Sequence, residues 1–291
     1  MKRLLILLGF FLALVAGVVL TLVAVAVWRG ESALPRGERL GVVELKGFIS
    51  NAEPTVDALR ALAADGDVKA VVLRVESPGG GIAPSQEIHD QVARTAAAKP
   101  VVVSMGALAT SGGYYVSAPA TRIVANPGTA TGSIGVLIQF KEMHALFDKM
   151  GLRTRIVKSG PLKDAGSPFR EMSAEETAVF QGLVDDLFDQ FVEAVAEGRG
   201  LASEIVRGMA DGRVYSGRQA LELGLVDRLG GFWDAVDLAG ELGGISGEPK
   251  LDYRRKKPKG VLRWILGEDQ GALAPLEEAY APPPRYSLPG W

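Results

Sequence analysis

The longest apolar run comes first: from Leu4 to Trp28 no residue carries a charge. At about 1.5 Å per helical residue, such a run exceeds the ~30 Å hydrocarbon core of a bilayer. A cleaved leader has a shorter apolar region with a small-residue exit, so the pattern predicts an uncleaved transmembrane anchor over residues 4–28. Lys2 and Arg3 precede it, whereas Arg29 is followed closely by Glu31. That bias predicts a single-pass protein of the plasma (inner) membrane, with residues 1–3 cytoplasmic and the remaining chain periplasmic or extracellular.

After a polar linker, residues 29–39, short apolar runs alternate with helical periodicity. "RLGVVELKGFI", "VKAVVLRVES" and "PVVVSMGA" read as strands, with "TVDALRALAAD" and "PSQEIHDQVARTAAA" as the helices between them. "TRIVANP", "SIGVLI" and "LRTRIVKSG" extend the strand pattern. Runs this rich in β-branched residues predict strands covered on both faces, as in βαβ units. A long helix is expected from Ser173, whose spacing to Glu176 makes a capping box, to a stop at Gly198 or Gly200. Two shorter helices around a strand follow. The expected fold class is therefore α/β, one domain over residues 40–250, with a basic and Pro-rich tail at 251–291.

Composition narrows the chemistry. The 291 residues carry a formal net charge of −2, which gives no bias toward nucleic acid. Cysteine is absent, which removes disulfides, thiol catalysis and a cysteine zinc site. With only 2 histidines as well, no metal site and no cofactor are expected. His89 and His144 both fall in helix-like patterns and are expected on helix surfaces rather than beside a nucleophile.

The small-residue stretch "GALATSGGYYVSAPATRIVANPGTATGSIGV" (106–136) holds Ser111 before two glycines and Ser133 between a glycine and an isoleucine. Without a suitable histidine, the base for a serine nucleophile is a lysine. An ordinary lysine is charged at neutral pH, and bringing it to half neutral takes about 4.6 kcal/mol, within reach of desolvation. Lys158 and Lys163, in "KSGPLKDAGSPF", both suit such a role by composition. Asp164 reads as a cap or surface charge; beside a base at position 163 it must point away, since a carboxylate would hold the ammonium charged. "RVESPGGGIAPS" has neither phosphate-binding nor dinucleotide-binding spacing; its amides suit an oxyanion. Tyr114 and Tyr115 read as core or pocket wall.

Four motifs in order resemble the signal peptide peptidase A family: "SPGGG" (77–81), "ATSGGYYVSAPATRIVANPGTATGSIGV" (109–136), "KSGPLKDAGSPFREMS" (158–173) and "GRVYSGRQALELGLVDRLGG" (212–231). The family comprises membrane-anchored serine peptidases with a Ser-Lys dyad on the ClpP/crotonase fold. The resemblance implies Ser111 as nucleophile, Lys163 rather than Lys158 as general base, Ser133 holding the lysine, and the amides of Gly80 and Gly112 as oxyanion hole. It further implies an endopeptidase that degrades signal peptides and other apolar peptides left in the lipid bilayer. A ring-shaped homo-oligomer is expected, an octamer, with neighbouring protomers completing the site. A non-catalytic membrane scaffold and a crotonase-like acyl-CoA enzyme are the alternatives on the same fold.

Overall fold

The computed structural model describes residues 11, 14–18, 21 and 37–253. Contacts divide the chain into two compact units, Met1–Glu38 and Arg39–Trp291. In the first, residues 11, 14–18 and 21 are helical, and the rest of the expected anchor at 4–28 lies outside the described residues. Among the described residues no helix is long and apolar enough to cross a membrane.

The second unit is built on one sheet. Strands β1 (Arg39–Lys46), β2 (Val68–Ser77) and β3 (Val101–Thr110) run parallel and are linked through helices α1 (Glu53–Ala64) and α2 (Ile82–Ala98). Their alternation separates two cores. Val43, Leu45, Val71, Leu73, Val103 and Met105 point into the larger one, beneath α1 and α2. Leu40, Val42, Ala70, Val72 and Val102 point into the smaller one. Both faces are covered, as the near-continuous apolar strands require.

Beyond β3 the sheet forks. Val102–Met105 pair with β4 (Arg122–Ala125), whereas Leu108–Thr110 pair with β5 (Ala130–Gly132). Strand β6 (Val214–Ser216) adds antiparallel to β5, β7 (Arg228–Leu229) adds to β4, and β8 (Lys250–Tyr253) adds to β1. The first residues of the expected tail thus belong to the sheet, where Asp252 meets the Arg39 guanidinium at 3.2 Å. Residues 254–291, which carry the basic and Pro-rich stretches, lie outside the described residues.

The remaining helices are α3 (Gly112–Ser117), α4 (His144–Lys149), α5 (Ala174–Arg199), α6 (Ser203–Met209), α7 (Gly217–Glu222) and α8 (Phe232–Leu242). Helix α8 covers the smaller core with Ala235, Val236 and Ala239. Helix α5 starts on the expected capping box, with both Ser173 and Glu176 bonds formed, and stops at Gly200 in the left-handed region. Only its second half is anchored in the core, by Phe191, Val192 and Val195.

Two expected strands are absent. "SIGVLI" buries Ile134 and then leaves the sheet, with Leu137 72% exposed. "LRTRIVKSG" forms no strand, and Val157 is 96% exposed. Apolar alternation yields a strand only where a neighbouring edge accepts its hydrogen bonds, and residues 137–160 pair with no such edge among the described residues.

Candidate active site

The end of β3 delivers Ser111. Strand β3 stops at Thr110 and α3 starts at Gly112, so Ser111 alone makes the turn. It adopts φ 53° and ψ −123°, a conformation that costs a residue with a side chain about 1–3 kcal/mol. The surroundings enforce it. The Ser111 N–H donates to the Gly132 carbonyl at 2.8 Å, and the Ser111 carbonyl accepts from the N–H groups of Tyr114 and Tyr115. Tyr114 is fully buried and its hydroxyl donates to the Leu225 carbonyl at 2.8 Å, which anchors the helix. Burial pushes the phenol well above its ordinary range. The hydroxyl of Ser111 caps no helical amide.

Ser133 shares the same positive φ, 53°. Thr110 pairs with Gly132, so Ser111 and Ser133 leave two neighbouring parallel strands at the same level. These two serines are the non-glycine residues with positive φ among the described residues.

The glycine cluster closes on the same point. Ile49 donates to the Gly79 carbonyl at 2.9 Å and accepts from Gly81 at 2.8 Å, which leaves the intervening Gly80 N–H free of that ladder. A Cβ on Gly80 would lie 2.3 Å from the Ile49 carbonyl oxygen, so the approach excludes any side chain. A Cβ on Gly112 would lie 3.2 Å from the Gly80 nitrogen and 2.5 Å from Ser85 Oγ. Gly80 and Gly112 are thereby neighbours, and Gly112 opens α3, where N–H groups have no partner within the helix. The arrangement suits a negative charge developing on a substrate carbonyl beside Ser111.

Sequence reading missed two contributors. Gly79 takes φ 101°, and a Cβ there would stand 2.7 Å from the Gly112 nitrogen, so the turn needs glycine twice over. Ser85 braces the loop: its hydroxyl donates to the Gly81 carbonyl at 2.8 Å while it packs on Gly112. The first glycine of "SPGGG" was the signal for Gly79; nothing in the sequence pointed to Ser85.

The lysines behave differently from one another. Lys163 sits in a 3-10 turn, Pro161–Asp164, and is exposed; its N–H donates to the Gly160 carbonyl at 3.2 Å, and its side chain has no hydrogen-bond or ion-pair partner among the described residues. The expected dry pocket for this side chain is not formed among the described residues, where no element covers the turn. Lys158 instead donates to the Pro161 carbonyl at 2.7 Å and pairs with Asp164. Asp164 also accepts two bonds from Arg170, at 2.9 and 3.0 Å, and these partners hold its carboxyl far below the usual range. Asp164 is therefore engaged by Lys158 and Arg170.

Neither histidine meets Ser111 through a hydrogen bond among the described residues. His89 is not a plain surface residue: its side chain is 15% exposed and packs at a tilt against Tyr115, ring centroids 4.9 Å apart. His144 lies 3.8 Å from Glu171.

Residues 93–246, which include Ser111, Ser133 and Lys163, match the model of Peptidase family S49. The chain belongs to that family. A Synechocystis sp. protein named as a protease is 39% identical over 234 residues, which cover 80% of this chain and 84% of that one. An Enterococcus faecium protein carrying the name signal peptide peptidase SppA is 38% identical over 220 residues, 74% of this chain and 64% of that one. A single-residue mutant of ClpP1 from Listeria monocytogenes aligns in structure at 16% identity and TM-score 0.47, covering 67% of this chain and 93% of that one. The resemblance to the signal peptide peptidase A family is borne out, and with it a serine-type peptidase.

Proposed function

We propose that the protein is a membrane-anchored serine endopeptidase that degrades signal peptides left in the bilayer after preprotein processing, through a Ser111–Lys163 dyad. The observation that carries this reading is Ser111 held at φ 53° immediately before α3, beside Gly80 and the Gly112 amide. Lys163 takes the Ser111 proton as the hydroxyl attacks the scissile carbonyl, and Ser133 aligns the amine. The two amides hold the oxyanion, the leaving amine collects the proton from Lys163, and a water activated by the same lysine releases the acyl group. No metal or cofactor takes part in these steps.

The base comes from a neighbouring copy in this reading. Lys163 stands exposed in a stretch where Leu137, Met150, Val157 and Leu162 are exposed as well. A second copy packed over that stretch removes apolar surface from water and dries the lysine together. Repetition of such a head-to-tail contact closes a ring, here proposed as an octamer. The anchor at residues 4–28 holds the ring at the outer face of the plasma membrane, which raises the effective concentration of peptides released into the bilayer.

The test is the rate of cleavage of a leucine-rich peptide by the full chain in detergent micelles, followed against pH. Wild type is expected to show a limb that rises with pH as the base loses its proton. Lys163→Ala is expected to lose activity; full activity in that variant ends the proposal.

A further inference from the structure

We propose that Lys158 and Arg170 are positioning residues that keep the Asp164 carboxylate turned away from the Lys163 ammonium, so that the base has no counter-ion beside it. The inference rests on Lys163 being the base.

Its starting point is a conflict in the sequence. Asp164 follows Lys163 directly, and a carboxylate facing an ammonium stabilises the charged form, which cannot accept a proton. The structure resolves the conflict by giving Asp164 other partners. Lys158 approaches one of its oxygens, and the Arg170 guanidinium spans both. The Asp164 side chain is 11% exposed, so water does little to screen it and its partners decide where its field points.

Arg170 reaches onward to Glu176, whose side chain is 3% exposed and whose carboxylate also accepts from the Ser173 N–H at the start of α5. The turn that carries Lys163 is thus tied through Asp164 and Arg170 to the capping box of the long helix. Lys158 adds a second tie through the Pro161 carbonyl. Two cations and two carboxylates make the network neutral. The other charged groups around it are Glu171, whose carbonyl accepts from Arg170 and whose carboxylate lies near His144, and Glu175 in the first turn of α5.

A neutral network has a signature that plain scaffolding lacks: removing one charge or the other unbalances it in opposite directions. In Lys158→Met, Asp164 loses one cation and its remaining charge favours the Lys163 ammonium. In Asp164→Asn, the cations of Lys158 and Arg170 outnumber Glu176 and disfavour it.

The experiment measures kcat/KM against pH for the full chain in detergent micelles on a leucine-rich peptide. The rising limb is expected to move about half a pH unit up in Lys158→Met and a similar amount down in Asp164→Asn. Lys158→Arg, which keeps the charge, is expected to hold the wild-type position. Limb position is read within each variant, so partial unfolding lowers amplitude and leaves the position intact. Limbs that stay in place or move in the same direction, with Lys163→Ala inactive, overturn this inference and leave the base assignment standing. A wild-type rate in Lys163→Ala overturns the base assignment itself.

Discussion

The N–H of Ser111 donates to the carbonyl of Gly132 at 2.8 Å, and this one bond fastens the turn after β3 to the turn after β5. It holds Ser111 in a backbone conformation that favours glycine. Ser111→Gly is therefore expected to be more stable than Ser111→Ala by about 1 kcal/mol, with both variants losing peptidase activity by at least about ten-thousand-fold. Chemical denaturation of the two variants, run beside the peptide assay, checks both halves. Equal stabilities would mean that the turn is not strained.

The oxyanion site depends on absent side chains. Gly112→Ala places a methyl group 2.5 Å from Ser85 Oγ and 3.2 Å from the Gly80 nitrogen. The expected result is a kcat lower by roughly a hundred-fold or more, with a smaller change in KM. Ser85→Ala, which removes one brace and one contact, is expected to fall between Gly112→Ala and wild type.

Tyr114→Phe leaves the buried Leu225 carbonyl without its donor. A loss of about 1–3 kcal/mol in unfolding free energy is expected, read from denaturant midpoints at constant m-value.

Glu176 sets an acid limit on the start of α5. Hydrogen bonds from Arg170, then from the Ser173 backbone, lower its carboxyl to about 2. A carboxyl depressed by folding contributes stability that is complete above its unfolded value, near 4.5, and lost as pH falls through about 2. Melting temperature is expected to drop between those limits, and Glu176→Gln is expected to flatten that part of the curve by lowering the plateau.

Val157 is 96% exposed and Leu137 72% exposed on the stretch proposed to receive a second copy. Val157→Asp is expected to lower the assembly mass by light scattering and the peptidase rate together, with the far-ultraviolet circular dichroism unchanged. A full-sized assembly from this variant would place the contact elsewhere.

Much of the fold was legible because its strands and helices obey local rules. "VKAVVLRVES" coincides with β2, and Ser173, Glu176 and Gly200 bound α5 as their capping chemistry requires. Legibility failed where an element depends on a partner. "SIGVLI" and "LRTRIVKSG" have strand composition without an edge to pair with. The same holds for the site. Ser111, Ser133, Gly80 and Gly112 gather by short turns that small residues announce, whereas nothing local buries Lys163. Ser85 acts through one hydroxyl on a helix face, a contact that no spacing encodes.

Covalent trapping tests the central claim most directly. A fluorophosphonate or an apolar peptidyl acylating agent is incubated with wild type, Ser111→Ala and Lys163→Ala, and the modified residue is located by peptide mass spectrometry. A single adduct on Ser111 is expected in wild type, none in Ser111→Ala, and strongly slowed labelling in Lys163→Ala. An adduct on a different residue that accompanies activity, or labelling of Ser111 at the wild-type rate without Lys163, would contradict that claim.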